Sequence, residues 1–140
     1  MKEKRLRIED ALNATKAAIA EGIVPGGGVC LAQIAEKIND RANTYTSSEF
    51  KLGYKIVVEA LKAPLVQIAL NSGIDSTKVL KECVESPEPL GLDALSGNMV
   101  NVIEEGIIDP AKVTRVALEN ASSIASMFLT TEVGITPKVK

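Results

Sequence analysis

A mainly α domain with a few short strands is the fold class this sequence predicts, and three observations predict it. Apolar residues recur at helical spacing over most of the chain, as at Ile8, Leu12 and Ile19, a stripe that Thr15 shares. Aromatic residues make up only 3% and Trp is absent, so the core must be assembled from Leu, Ile, Val and Ala, which suits closely packed helices. The one long stretch too rich in glycine and proline for a single helix, residues 86–108, reads instead as a turn with short strands.

Taken in order, the first helix covers "RLRIEDALNATKAAIAEG", where abundant Ala favours helix and Gly22 closes it. The turn "VPGGG" then opens a second amphipathic helix that runs to about Asn39, and "NDRANTYTSSE" reads as an exposed loop. Ser48 is the expected N-cap of "EFKLGYKIVVEALK". Pro64 has no N–H to give to an interior helical bond, so the element is expected to break there. A new helix, "PLVQIALNSG", should then start with that proline in its first turn. "DSTKVLKECVE" follows as a short capped helix. Beyond the strands, Asp109 as N-cap and Pro110 at the first helical position start "DPAKVTRVALENASSIASMFL", with Val113, Val116, Ala117, Ile124, Met127 and Phe128 at helical spacings. The β-branched "TTEVGI" after it predicts a strand, placed at an edge.

Composition removes several function classes. The chain has 140 residues, one domain's worth, with 46% apolar and 24% charged residues, and so reads as soluble and globular. A net charge of −2 supplies no basic field for nucleic acid. No apolar run approaches the ~20 residues of a membrane span, and "MKEKRLRIED" has no signal-peptide core. Cys30 and Cys83 read as reduced packing residues of a cytosol-like compartment, and two separated thiols do not make a metal site. The absence of His excludes every His-based nucleophile triad.

Three places could carry chemistry. Asp10 points away from the Ile8–Leu12–Ile19 stripe and shares its helix line with Leu6, Ala14 and Ala17. A carboxylate on a face of small apolar residues can approach a partner closely and act as a base or orient a water. By spacing alone a solvated surface acid is the simpler reading, and Glu9 on the neighbouring line could equally be the functional acid. Gly26, Gly27 and Gly28 could present bare N–H groups to an anion, or could simply be a tight helix–helix turn; there is no P-loop lysine. Asp109 could accept a ribose hydroxyl while it caps its helix. Lys112 and Arg115 read as solvated surface, and Ser47, Ser48, Ser122 and Ser123 as caps and packing.

The order of the segments adds information that no single one holds. "RIEDALNATKAAIAEGIVPGGGV", followed by "LGLDALSGNMVNVIEEGIIDPAKVTRVALENASSIASMFLTTE", resembles the group I chaperonin 60 family, the GroEL/Hsp60 type, from about Lys4 to about Thr136. The resemblance implies a helical bundle of the chaperonin equatorial domain with a few short β-strands. Residues 1–21 would be the helix descending from the intermediate domain, and residues 22–140 the C-terminal part of the equatorial, nucleotide-binding domain, with Gly22 at the lower hinge. By position, Asp10 matches the aspartate that orients the attacking water in ATP hydrolysis. Gly27 matches the glycine whose backbone borders the nucleotide, Asp93, Ala94 and Leu95 the segment holding the adenine edge, and Asp109 the ribose contact. Leu92 stands where a tyrosine is frequent, and Pro25 stiffens a turn often left as Ala or Val.

Further expectations follow from the resemblance. ATP is the nucleotide, and Mg2+ would be held through family residues absent from this chain. The parent would hydrolyse ATP, fold unfolded client proteins inside stacked heptameric rings of itself, and work with a co-chaperonin of the GroES/Hsp10 type. Bacterial cytoplasm, mitochondrial matrix and plastid stroma all fit. This chain alone is expected to be inactive, and its apolar faces to be left uncovered. The rival reading is a non-enzymatic helical scaffold or interaction module, with no nucleic acid or membrane partner in either case.

Overall fold

The computed structural model describes residues 2–42, 44 and 46–136. Along the chain run α1 (Lys2–Glu21), β1 (Ile23–Pro25), α2 (Val29–Ala42), α3 (Ser48–Asn71), α4 (Ser76–Glu85), β2 (Leu90–Asp93), β3 (Asn98–Asn101), β4 (Ile108–Pro110) and α5 (Ala111–Thr130). The fold is the mainly α class expected, with short strands where glycine and proline punctuate the chain. It forms two compact units, one of residues 23–109 and the other of the chain up to Gly22 and from Pro110 onward.

The 23–109 unit holds the core. Val29, Ala32 and Ala35 of α2 face Val58, Leu61, Leu65 and Ala69 of α3, and all seven are buried. These spacings put one apolar stripe on each helix, and a fully buried Leu such as Leu65 is worth about 1.5–3 kcal/mol. Val79 and Cys83 of α4 and Leu92 and Val102 around the β2–β3 hairpin complete the main cluster. α4 is capped, as expected, and the cap is Asp75, its carboxylate accepting from the Thr77 N–H at 2.9 Å. β2 and β3 pair antiparallel with Leu90 opposite Asn101 and Asp93 opposite Asn98, and β1 pairs with β4. Gly91 lies in β2 where any side chain would overlap those of Val29 and Val102, which lets the hairpin press onto α2.

The other unit is built from α1 and α5. Gly22, at φ 84°, ends α1, and its N–H donates to the Ala18 carbonyl at 2.8 Å, the glycine stop expected from the sequence. The Ala111 N–H donates to the Gly22 carbonyl at 3.0 Å, tying the end of α1 to the start of α5. Among the described side chains of α1 the half-buried ones are Ala14, Ala17 and Ala18, not the larger Ile8, Leu12 and Ile19. Small side chains let one helix approach another closely, so the alanine line packs and the branched stripe stays exposed. α5 has no buried residue at all; Phe128 is 78% exposed.

Four local expectations are corrected. α3 runs unbroken through Pro64, because burial of Leu61, Leu65 and Ala69 on one face outweighs the single lost helical bond. Its N-cap is Ser47 rather than Ser48, and the hydroxyl makes no capping bond. α2 continues three residues past Asn39, to Ala42; of the loop expected there, Asn43 and Tyr45 lie outside the described residues. "TTEVGI" forms no strand: after the helical Thr130, residues 131–136 have no ladder partner among the described residues, so β-branching alone leaves them without regular structure.

Candidate functional site

Each glycine of the turn between β1 and α2 has its own environment. The Gly26 N–H donates to the Ile107 carbonyl at 3.0 Å, and a Cβ on Gly26 would lie 2.9 Å from that same oxygen. At Gly28, φ is +81° and a Cβ would lie 2.6 Å from the Leu65 backbone nitrogen, inside α3. Both outer glycines are therefore required by protein packing. Gly27 differs. Its φ is +63°, but a Cβ there would meet only the Ile107 methyl, at 3.8 Å, so its α-carbon face is otherwise open.

Asp93 ends β2 and organises the hairpin loop 94–97. One carboxylate oxygen accepts from the Leu95 N–H at 2.9 Å, the other from the Ser96 N–H at 3.3 Å, and the Asp93 carbonyl accepts from the Gly97 N–H at 2.8 Å. The Ser96 side chain, with the Leu95 and Ser96 amides, holds the Asp93 carboxyl below the ordinary aspartate range. Its oxygens are thus committed to its own loop, while Leu95, 97% exposed, projects from the loop beside them.

Asp109 is exposed in β4, and the cap role expected of it is not seen. α5 starts one residue later than anticipated, Pro110 takes the N-cap position, and no side chain caps the helix. Pairing of β4 with β1 keeps the backbone of residues 108–110 extended, so Asp109 is too early to reach the first free amides. Its charge is felt instead at Cys30, whose thiol is pushed up by burial first and by Asp109 second. Asp93 and Asp109 thus lie on separate segments that share one support. The glycine turn enters α2, Gly91 rests on Val29, and the Gly26 N–H holds the Ile107 carbonyl just ahead of β4, so the turn, the hairpin and the segment leading to Asp109 meet at the start of α2.

Asp10 lies in the other unit, exposed on the α1 line that carries the half-buried Ala14 and Ala17. Further along that helix a groove against α5 is lined by Asn13, Lys16, Ala17, Lys112, Val113 and Val116. Glu9, the rival acid, is engaged by Arg5 at 3.9 Å on the same helix.

One cluster was not anticipated. Arg115, expected as solvated surface, donates to both Glu21 oxygens, from Nη2 at 2.6 Å and from Nε at 3.0 Å. Its Nη1 reaches both oxygens of Glu119, at 2.9 and 3.0 Å. Bonding to Arg115 holds the Glu21 carboxyl below the ordinary glutamate range. The i,i+4 spacing of Arg115 and Glu119 was legible in sequence; the partner 94 residues away was not.

Among the described residues no helix is long and apolar enough to cross a membrane, and no cluster of three or more His, Cys, Asp and Glu could hold a metal ion. Comparison with known structures finds similarity to the open-state monomer of a group II chaperonin from Methanococcoides burtonii, with a TM-score of 0.73 and 25% identity. The similarity covers 78% of this chain but 28% of that one, so this chain spans little more than a quarter of the protein it matches. The model of the TCP-1/cpn60 chaperonin family matches residues 1–138, nearly the whole sequence. With the helical architecture, the bare turn ahead of α2 and this match together, the chain belongs to the TCP-1/cpn60 chaperonin family.

Proposed function

We propose that this chain is part of an ATP-driven folding chaperonin of group I. It would comprise the end of the intermediate domain (residues 1–21) and the C-terminal portion of the equatorial, nucleotide-binding domain (residues 22–140). The observation that carries the reading is Gly27. Its neighbours are bare because protein backbone presses on them, whereas its own α-carbon faces open space at the start of a helix, where a nucleotide can come close. Ala94 and Leu95 would border the adenine; both are exposed in a loop that Asp93 rigidifies through its own backbone amides. Asp109, free of any capping bond, keeps its oxygens available to ribose hydroxyls. Asp10, on a helix face of small residues, would orient the attacking water, a step that needs positioning rather than covalent chemistry. Mg2+ would be held by residues of the parent outside this chain.

The group I assignment rests on "DPAKVTR" and "MFLTTE". The parent would form heptameric rings, close them with a co-chaperonin of the GroES type, act on unfolded clients, and reside in a bacterial, mitochondrial or plastid interior. Complementation tests the reading. Mixing this chain with a chaperonin's N-terminal equatorial segment should restore ADP binding measured by calorimetry, and Asp109→Ala should weaken it. No binding by the mixture would overturn the proposal. The chain by itself should show no ATP turnover, and a rate that depends on Asp10 would refute that expectation.

A further inference from the structure

We infer that Glu119 is a positioning residue: it aims the Arg115 guanidinium so that its Nε–Nη2 edge stays presented to Glu21, fixing the end of α1 on α5. The inference extends the reading above, because α1 is the helix that carries Asp10, but its evidence is the hydrogen-bond geometry of one cluster.

Glu119 occupies only Nη1, with both oxygens, and Glu21 only Nη2 and Nε. The two acids therefore use different edges of one planar fork and do not compete for a proton. An unrestrained arginine must surrender several side-chain rotations to meet a carboxylate 94 residues away. A partner four residues along its own helix takes up part of that ordering cost before Glu21 arrives. Base-before-acid pairs at i,i+4 recur in this chain at Arg5–Glu9, Lys78–Glu82 and Lys81–Glu85, each a single contact at 3.9 Å, whereas Glu119 holds Nη1 with both oxygens at 2.9 and 3.0 Å. Glu21 has a matching need. It is the last residue of α1, no basic residue stands in that final turn, and its charge faces the negative end of its own helix dipole. Arg115 supplies the missing cation, with Lys112 of α5 the other positive group acting on Glu21.

Two amides report the joint: Gly22, which donates to Ala18, and Ala111, which donates to Gly22. Hydrogen exchange at both, followed by NMR on the whole 140-residue chain, reads its opening. Arg115→Ala should speed exchange at Ala111 several-fold. Glu119→Gln should speed it about two- to threefold although Glu119 touches neither amide, and Glu119→Asp should recover part of the loss. The Glu21 titration midpoint should rise toward the ordinary value in Glu119→Gln because the Arg115 contact loosens, whereas removal of a nearby negative charge by itself would lower it. An unchanged or lowered Glu21 midpoint in Glu119→Gln overturns the inference, as does unchanged exchange at Ala111. Neither readout involves nucleotide, so the outcome is independent of whether the complementation experiment succeeds.

Discussion

Replacing Gly28 by alanine tests the logic of the glycine turn more sharply than any other single change. Two costs add. A φ of +81° places an alanine in the left-handed region, at about 1–2 kcal/mol. The new methyl would also sit 2.6 Å from the Leu65 nitrogen and 3.0 Å from its α-carbon, so α3 must retreat by the better part of an ångström. Leu65 is fully buried and cannot move without loosening Val29 and Ala32, and overpacking of this kind costs about 1–3 kcal/mol. The sum is about 2–5 kcal/mol, a large share of the stability of a small domain. Gly27→Ala is the internal control: φ is +63° but the nearest atom is 3.8 Å away, so only the backbone cost of about 1–2 kcal/mol applies. Urea unfolding of the three proteins, monitored by circular dichroism, gives the difference directly. If Gly27→Ala proves as damaging as Gly28→Ala, the division of the turn into packed and open glycines is wrong.

Other expectations follow from the same geometry. Pro64→Ala restores an N–H donor in the middle of α3 at an exposed position, and should raise the melting temperature by the equivalent of about 1–3 kcal/mol. Asp75→Ala removes the bond to the Thr77 amide and should cost about 1 kcal/mol in the same unfolding assay. The carboxyls of Glu21 and Asp93 are both held below their unfolded values, so their stabilisation is complete above the ordinary carboxylate range. It is lost as pH falls through the lowered midpoints; acid unfolding should therefore shift to higher pH in Glu21→Gln, and an unmoved profile would argue against the pair. Burial pushes the Cys83 thiol up to about 11, so iodoacetamide at mildly alkaline pH should label the half-buried Cys30 well before Cys83, as read by peptide mass spectrometry.

Most helix positions, the turn-and-strand character of residues 86–108, the glycine stop of α1 and the presence of a cap on α4 were legible in the sequence alone, because each depends on residues within one or two turns of one another. The sequence also carried the family resemblance, since ordered motifs survive without knowledge of their contacts. Tertiary structure decided what local signals leave open. Pro64 stays inside a helix because three side chains on one face are buried against α2. "TTEVGI" lacks a strand because no neighbouring edge meets it among the described residues. Asp109 misses its cap because β4 pairs with β1 and delays the helix by one residue. Gly26 and Gly28 separate from Gly27 only when Ile107 and Leu65 arrive from far along the chain, and Arg115 becomes a clamp only when Glu21 does. Propensity acts over a few residues, whereas packing and ion pairing join residues dozens apart, and the latter set which groups stay free to meet a ligand.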